Sequence, residues 1–412
     1  MHLIMTGERA PAGLLASISS VESFGDAFEV GRPLSYTDDC VVTTARCKAT
    51  GQQVVLKNYA KHSLQPLALL QVRTEFGIQH SLCGGAHVAP MLCAFEDARY
   101  YCLVLEYANG GDLRAHMKRG HPMEEHRVRD FIATPVVRAL AQLQHEGIVH
   151  RDVKPENVLV HGGQVMLADF GMAMYFSTPP PCIEESRQDP AAARALACLK
   201  LANNAGGTVL YSAPEMLKAM FSGQPMQPAV HHKNDVWALG LMLIEALTGQ
   251  HPFSPENCTS YSGNVMYAIA HCKGIELPRK CSAELRDFLS LALQRDPALR
   301  PTAGELLHHP WLSAPVCSSP SLLDLPSSDG TGVKGLPRNP SAAGVNCCAG
   351  TDSGLTCDDS DDTAFQDAYQ DGLEEEPSYS EASAAIVRNT SEDPLRTEGH
   401  RTAFEDLLIW AD

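Results

Sequence analysis

Between residues 28 and 107 the hydrophobic positions fall in short runs separated by polar turns. Cys40–Cys47 and 53–57 are rich in β-branched residues and flank Lys48-Ala49-Thr50-Gly51, so they predict two strands of a hairpin. Two further runs, 88–95 and 100–107, predict another strand pair. Residues 67–82 lie between the pairs, carry Leu70, Val72, Phe76 and Ile78, and predict a helix that Gly84-Gly85 ends. Beyond Gly110-Gly111 the texture becomes helical, with predicted segments at 112–119, 123–146, 233–248, 281–294 and 303–308. Strands first and helices afterwards predict an α+β chain of two lobes, 28–107 and 112–312, with a ligand cleft between them. Residues 1–27 show no strong period and read as a flexible leader.

Charge divides the chain again. Of the net −17, residues 313–412 carry 19 acidic against 5 basic side chains, while the preceding 312 residues are near neutral. A body with this much apolar surface can fold around a core; a Ser-, Pro- and Asp-rich tail cannot offset its own ordering entropy and is expected to be disordered. General nucleic-acid binding is not expected, because phosphate contacts need clustered Lys and Arg. Fourteen cysteines are scattered without metal-ligand spacing, which fits reduced thiols in the cytoplasm or nucleus. Residues 1–16 lack a basic start and a sustained apolar stretch, and no later run has the length of a membrane span, so neither a targeting address nor a membrane is expected.

The chemistry-bearing residues are concentrated. His150-Arg151-Asp152-Val153-Lys154-Pro155-Glu156-Asn157 is followed by Asp169-Phe170-Gly171, Ala213-Pro214-Glu215, Asp235-Val236-Trp237 and Arg300. In this order and spacing, residues 28–312 resemble the eukaryotic protein kinases of the serine/threonine branch, most like the calmodulin-dependent and Aurora-like groups. The resemblance implies the two-lobed protein kinase fold, ATP and Mg²⁺ as cofactors, and Ser/Thr-containing proteins as substrates. It gives Asp152 the part of orienting and deprotonating the acceptor hydroxyl, and Lys154 that of balancing charge on the transferred group. Asn157 and Asp169 become the Mg²⁺ ligands. Lys57 would hold phosphates and pair with Glu75. Val42, Val55, Leu105, Glu106, Ala108 and Leu159 would surround the adenine. Arg151, Glu215, Asp235 and Arg300 take structural parts, the second and fourth as a pair and Asp235 behind the catalytic loop.

Three departures from that pattern matter. The positions where the family has phosphate-loop glycines are Ser35, Thr37 and Cys40, beside Asp38 and Asp39, and Val55 replaces a smaller residue. Side chains there keep backbone N–H groups from phosphates, so a weakly active kinase or a pseudokinase scaffold stands as the alternative to an active enzyme. Gln79 occupies a place where the family has an apolar residue stacked with Met91, Phe170 and His150, and this leaves the Glu75 register open by one residue. An insertion begins at Tyr175, and Asn204 holds the usual phosphosite, so activation without a phosphothreonine docked on Arg151 is expected.

Substrate contacts are expected at Asp112, Glu156, Thr208 and Glu245. The three carboxylates would favour arginine upstream of the acceptor; for Asp112 a ribose contact and for Glu245 a helix cap are equally open. In the tail, Ala403-Phe404-Glu405-Asp406-Leu407-Leu408-Ile409-Trp410 is an apolar cluster set among acids, which would dock on the first lobe or on a partner, or remain an idle end.

Overall fold

The computed structural model describes residues 1–21, 23–37, 39–176, 209–222, 228–254 and 265–313. Asp38, the insertion from residue 177 onward, Asn204, Thr208 and the acidic tail with its apolar end lie outside the described residues.

The first lobe is one antiparallel sheet of six strands in the order β1-β5-β6-β4-β3-β2. These are β1 (His2–Thr6), β2 (Phe28–Tyr36), β3 (Cys40–Cys47), β4 (Gln53–Ala60), β5 (Met91–Glu96) and β6 (Tyr100–Glu106). The hairpins read from sequence are present, and the helix between them runs Pro66–Ser81, with proline at its first turn where no N–H is needed.

The leader is the principal correction. Residues 1–27 are built into the lobe: β1 pairs with β5 from His2↔Glu96 to Thr6↔Cys93, and the helix Ala12–Ser19 buries Leu14 and Ile18 completely. Both side chains join a core with Phe28, Val54, Leu56, Leu92 and Phe95. Each such burial removes enough apolar surface to contribute about 2 kcal/mol. The entry of this segment is fixed by Gly7, whose N–H donates to the Leu92 carbonyl at 2.7 Å. A Cβ on Gly7 would lie 1.9 Å from the Met91 oxygen, so no other residue permits this approach.

The second lobe is mostly helical, with small two-stranded sheets formed by β7 (Ile148–Val149) with β10 (Met174–Tyr175) and by β8 (Val158–His161) with β9 (Gln164–Leu167). The predicted helix over 123–146 is broken into Glu125–Arg127, a wider-wound stretch Val128–Ala133, and Thr134–His145. Pro135 lacks an N–H and its ring crowds the carbonyl of Phe131, one turn earlier, which accounts for the change of winding. The segment expected at 112–119 shortens to Leu113–His116. Pro228–Thr248 passes through the centre of the lobe and is buried from Val236 to Ile244. The hydrophobic core of this lobe extends to Ile78 of the Pro66–Ser81 helix and to Leu82 just after its end, which ties that helix to the C-terminal half of the fold.

Candidate active site

Lys57 stands on the central strand β4 and Glu75 on the Pro66–Ser81 helix, and their side chains meet at 2.6 Å in the interior. The register of Glu75, open in the sequence, is therefore settled. Lys57 also reaches the Asp169 carboxylate at 2.9 Å. Burial lowers the Lys57 pKa, but the charges of Glu75, Tyr59 and Asp169 more than offset it and hold the ammonium well above its ordinary value. At Asp169 burial acts upward; the Lys57 ammonium and the Gly171 N–H act downward and hold the carboxyl at about 2. An ionised, half-exposed carboxylate is thus presented to the cleft.

Two residues that sequence reasoning did not single out complete this cluster. The Tyr59 hydroxyl donates to Glu75, and the Gln71 amide donates to the Gly171 carbonyl at 2.5 Å. Both were visible in principle. Tyr59 is two residues from Lys57 and shares its face of the strand, and Gln71 is one turn before Glu75 on the helix.

The catalytic-loop residues are assembled on the opposite wall. Asp152 accepts from Lys154 Nζ at 2.6 Å and from Asn157 Nδ2 at 2.8 Å. Asn157 donates also to the Asp152 carbonyl, so its amide nitrogen is committed to the loop and its oxygen is the end that could accept a cation. The loop is carried from beneath by Asp235, whose two oxygens accept the N–H groups of His150 and Arg151 at 2.7 and 2.8 Å. Burial pushes the Asp235 carboxyl up to about 7 against the pull of those two N–H groups. Burial also lowers the His150 pKa. The neutral ring then donates from Nε2 to the Ala168 carbonyl and accepts the Asp152 N–H at Nδ1, which fixes its tautomer.

Arg151 and Asp169 have φ of +69° and +63°, a left-handed conformation that non-glycine residues rarely adopt. Such strain persists only where surrounding contacts determine it, and one of the two residues lies within the catalytic loop while the other opens Asp169-Phe170-Gly171. Phe170 is fully buried, with its ring 5.0 Å from that of His150. Gln79 reaches the same interior and donates to the Ala89 carbonyl at 2.6 Å, so the polar residue in an apolar stack is satisfied by backbone. Arg300 is fully buried and grips Glu215 through both terminal nitrogens, at 2.6 and 3.1 Å.

Val42, Val55, Leu105 and Leu159 are half-buried, unlike their fully enclosed neighbours Val54, Leu56, Val104 and Val158, and Ala108 is buried. Glu106 begins the link between lobes, with its N–H donating to the Pro90 carbonyl. A cavity of about 270 Å³ lies at the other end of the cleft, bounded by Thr37, Asp39, Cys40, Lys57, Glu75 and Asp169. Its roof is the turn between β2 and β3, and that turn is closed on itself. The Thr37 N–H donates to the Cys40 carbonyl at 2.7 Å, and the Cys40 N–H donates to Thr37 Oγ1 at 3.2 Å. Two amides of the loop are already engaged.

The acids expected at a substrate arginine have partners within the chain. Asp112 caps the Leu113–His116 helix by accepting the Ala115 N–H at 2.8 Å. Arg114 bonds Glu156 at 2.8 Å and Glu245 at 2.6 Å. The reading of Glu245 as a helix cap is replaced by this pairing. Arg151 donates to the Met172 carbonyl at 3.5 Å, within the segment that follows Asp169-Phe170-Gly171.

Among the described residues, no helix is long and apolar enough to cross a membrane. Residues 38–312 match the family model described as the protein kinase domain. An Aurora kinase of Schizosaccharomyces pombe is 29% identical over 287 residues, which cover 69% of this chain and 71% of that protein. Calcium-dependent protein kinase 15 of Oryza sativa is 28% identical over 298 residues, 71% of this chain and 49% of the relative. The MAP kinase kinase kinase wis4 of S. pombe is 31% identical over 214 residues, 51% of this chain and 14% of the relative. Relatives of different kinds match at similar identity, and no single subfamily stands out.

Proposed function

The chain belongs to the protein kinase family, whose members are phosphotransferases, and on that premise we propose that it transfers the ATP γ-phosphate to serine or threonine hydroxyls of protein substrates. The observation that carries this reading is the joint presence of two assembled clusters facing one cleft: Lys57 with Glu75 and Asp169, and Asp152 with Lys154 and Asn157.

Each group has a part that its surroundings support. Asp152, held by hydrogen bonds from Lys154 and Asn157, receives the proton of the acceptor hydroxyl. Asn157 holds Asp152 in place through its amide nitrogen. Lys154 balances negative charge on the substrate side of the loop. Lys57, kept charged by its three neighbours, binds phosphate oxygens, and Glu75 keeps it aimed. Val42, Val55, Leu105 and Leu159 form the apolar walls for the base, with Glu106 and Ala108 as the backbone edge. ATP, when bound, supplies the phosphoryl group, and Mg²⁺ supplies positive charge across its phosphates. The oxygen donors that fit the metal are the Asp169 carboxylate and the Asn157 amide oxygen, a small set suited to an ion that keeps water and phosphate ligands. Lysine at 154 in the catalytic loop supports serine or threonine over tyrosine. Arg151 bonded to backbone supports activation that does not depend on a phosphothreonine clamp.

A second reading, a weakly active enzyme or nucleotide-poor scaffold, is favoured by the self-closed turn from Thr37 to Cys40. The two are separated by incubating the full chain with Mg²⁺-ATP and a degenerate serine, threonine and tyrosine peptide library. Transfer to serine and threonine that disappears in Asp152→Asn and Asp169→Asn supports the enzyme. Folded protein without transfer at millimolar ATP supports the scaffold.

A further inference from the structure

Arg114 connects three segments that are remote in sequence. Its Nε donates to Glu156 Oε1 at 2.8 Å, Nη1 to Glu245 Oε1 at 2.6 Å, and Nη2 to Glu245 Oε2 at 3.3 Å and the Tyr211 hydroxyl at 2.6 Å. Tyr211 in turn donates to Glu245 Oε2 at 2.5 Å, and the ring of His251 lies edge-on behind it at 4.8 Å. Each of the three guanidinium nitrogens therefore has at least one acceptor, and Glu245 is gripped through both terminal nitrogens. It is not sealed in the interior: the side chains of Arg114 and Glu156 remain 35% and 44% exposed, while Glu245 is 12% exposed. Glu156 belongs to the catalytic loop, four residues after Asp152. The occupied site thus opens to solvent beside the place where a peptide presents its hydroxyl.

We propose that Arg114 is a specificity-determining residue: it supplies from within the chain the guanidinium that Glu156 and Glu245 would otherwise take from a substrate, so that upstream arginine is not selected. Two carboxylates close together with a tyrosine hydroxyl form a receptor for a planar, doubly donating cation. A substrate arginine would have to displace Arg114, which is tethered at the site and loses little freedom by staying there. The local charge of one cation against two carboxylates is only −1, so the attraction left for an incoming basic peptide is weak and screened by salt. Peptides with uncharged residues near the acceptor then meet no penalty. Removing Arg114 exposes both carboxylates and converts the site to one that takes arginine. This inference rests on the kinase reading, since it places the peptide beside Glu156.

The test measures binding and transfer separately. The full chain, Arg114→Ala and Arg114→Gln are titrated with two fluorescent peptides, one carrying two arginines upstream of an alanine in the acceptor position and one with alanines in their place. Wild type is expected to bind the two peptides within about twofold. Each variant is expected to bind the arginine peptide about tenfold more tightly than wild type does, the scale of a hydrogen-bonded charge pair at a partly exposed site. If Arg114→Ala fails to fold, Arg114→Gln, which retains the stem and an amide donor, carries the comparison. The proposal is overturned if wild type already prefers the arginine peptide about tenfold, or if the folded variant gains no affinity for it. Serine versions of the peptides then report transfer. A gain in binding without transfer from any of the proteins counts against the kinase reading and leaves the role of Arg114 supported.

Discussion

The catalytic loop and the turn between β2 and β3 face the same cleft and are held in opposite ways. Residues 150–157 are fixed from a distance: Asp235 accepts two of their backbone N–H groups, the Ala168 carbonyl receives the His150 ring, and the Asn157 carbonyl accepts the Ala168 N–H. The turn from Thr37 to Cys40 is held mainly by itself, through two hydrogen bonds between residues three apart, with one more from the Ala60 N–H of the adjoining strand to the Asp39 carbonyl at 3.1 Å. Geometry imposed by distant partners resists change without loss of the fold, whereas a locally closed turn can be altered at little cost elsewhere. In this chain Asp152, Lys154 and Asn157, to which the proposed function gives the proton transfer and charge balance, are on the rigid side. The departure at the phosphate-loop positions falls on the locally held turn, where the proposed function has it weaken the grip on nucleotide rather than change the chemistry.

The contrast can be broken at several points. The largest effect is expected for Asp152→Asn, which removes the proton acceptor and should lower transfer by about 10³-fold in a steady-state assay. Asp235→Ala comes next. It strands the buried N–H groups of His150 and Arg151 and should lower unfolding free energy by about 3 kcal/mol, read by chemical denaturation. Opening the turn with Thr37→Gly and Asp39→Gly together frees an amide and removes a carboxylate facing the cavity. The KM for ATP should fall about tenfold, equivalent to about 1.4 kcal/mol, while kcat stays within about twofold. The smallest effect is in pH dependence. Asp169 titrates at about 2 in the fold, below its ordinary value of 3.8. Its stabilising contribution is therefore complete above pH 3.8 and is lost as pH falls through 2. Unfolding curves of wild type and Asp169→Asn should approach one another across that interval and run parallel above it.

Much of this arrangement was legible in the sequence because its signals are local or strictly ordered. The β3–β4 hairpin follows from β-branched runs on either side of a turn, and motif and order singled out Lys57, Asp152, Asn157 and Asp169, which the fold brings together as the pairs Lys57–Asp169 and Asp152–Asn157. The first 27 residues were not legible. Strand β1 is five residues long, and its partner β5 begins only at Met91, so nothing near His2–Thr6 marks the pairing. Leu14 and Ile18 are one helical turn apart, but two apolar residues do not announce a buried face. The fate of the acidic residues was hidden for the same reason. Arg114 meets Glu156, Tyr211 and Glu245 at separations of 42, 97 and 131 residues, which no local pattern reports. Sequence indicated that the carboxylates suit a guanidinium. Folding alone reveals that the chain provides one.

The measurement that bears most directly on the account is the initial rate of phosphoryl transfer by the full chain as a function of Mg²⁺-ATP concentration, with Asp152→Asn in parallel. A saturating curve that reaches a finite kcat, is shifted to high KM for ATP, and vanishes in Asp152→Asn is the predicted result. A rate indistinguishable from that of Asp152→Asn at every ATP concentration, in protein shown to be folded, would contradict it.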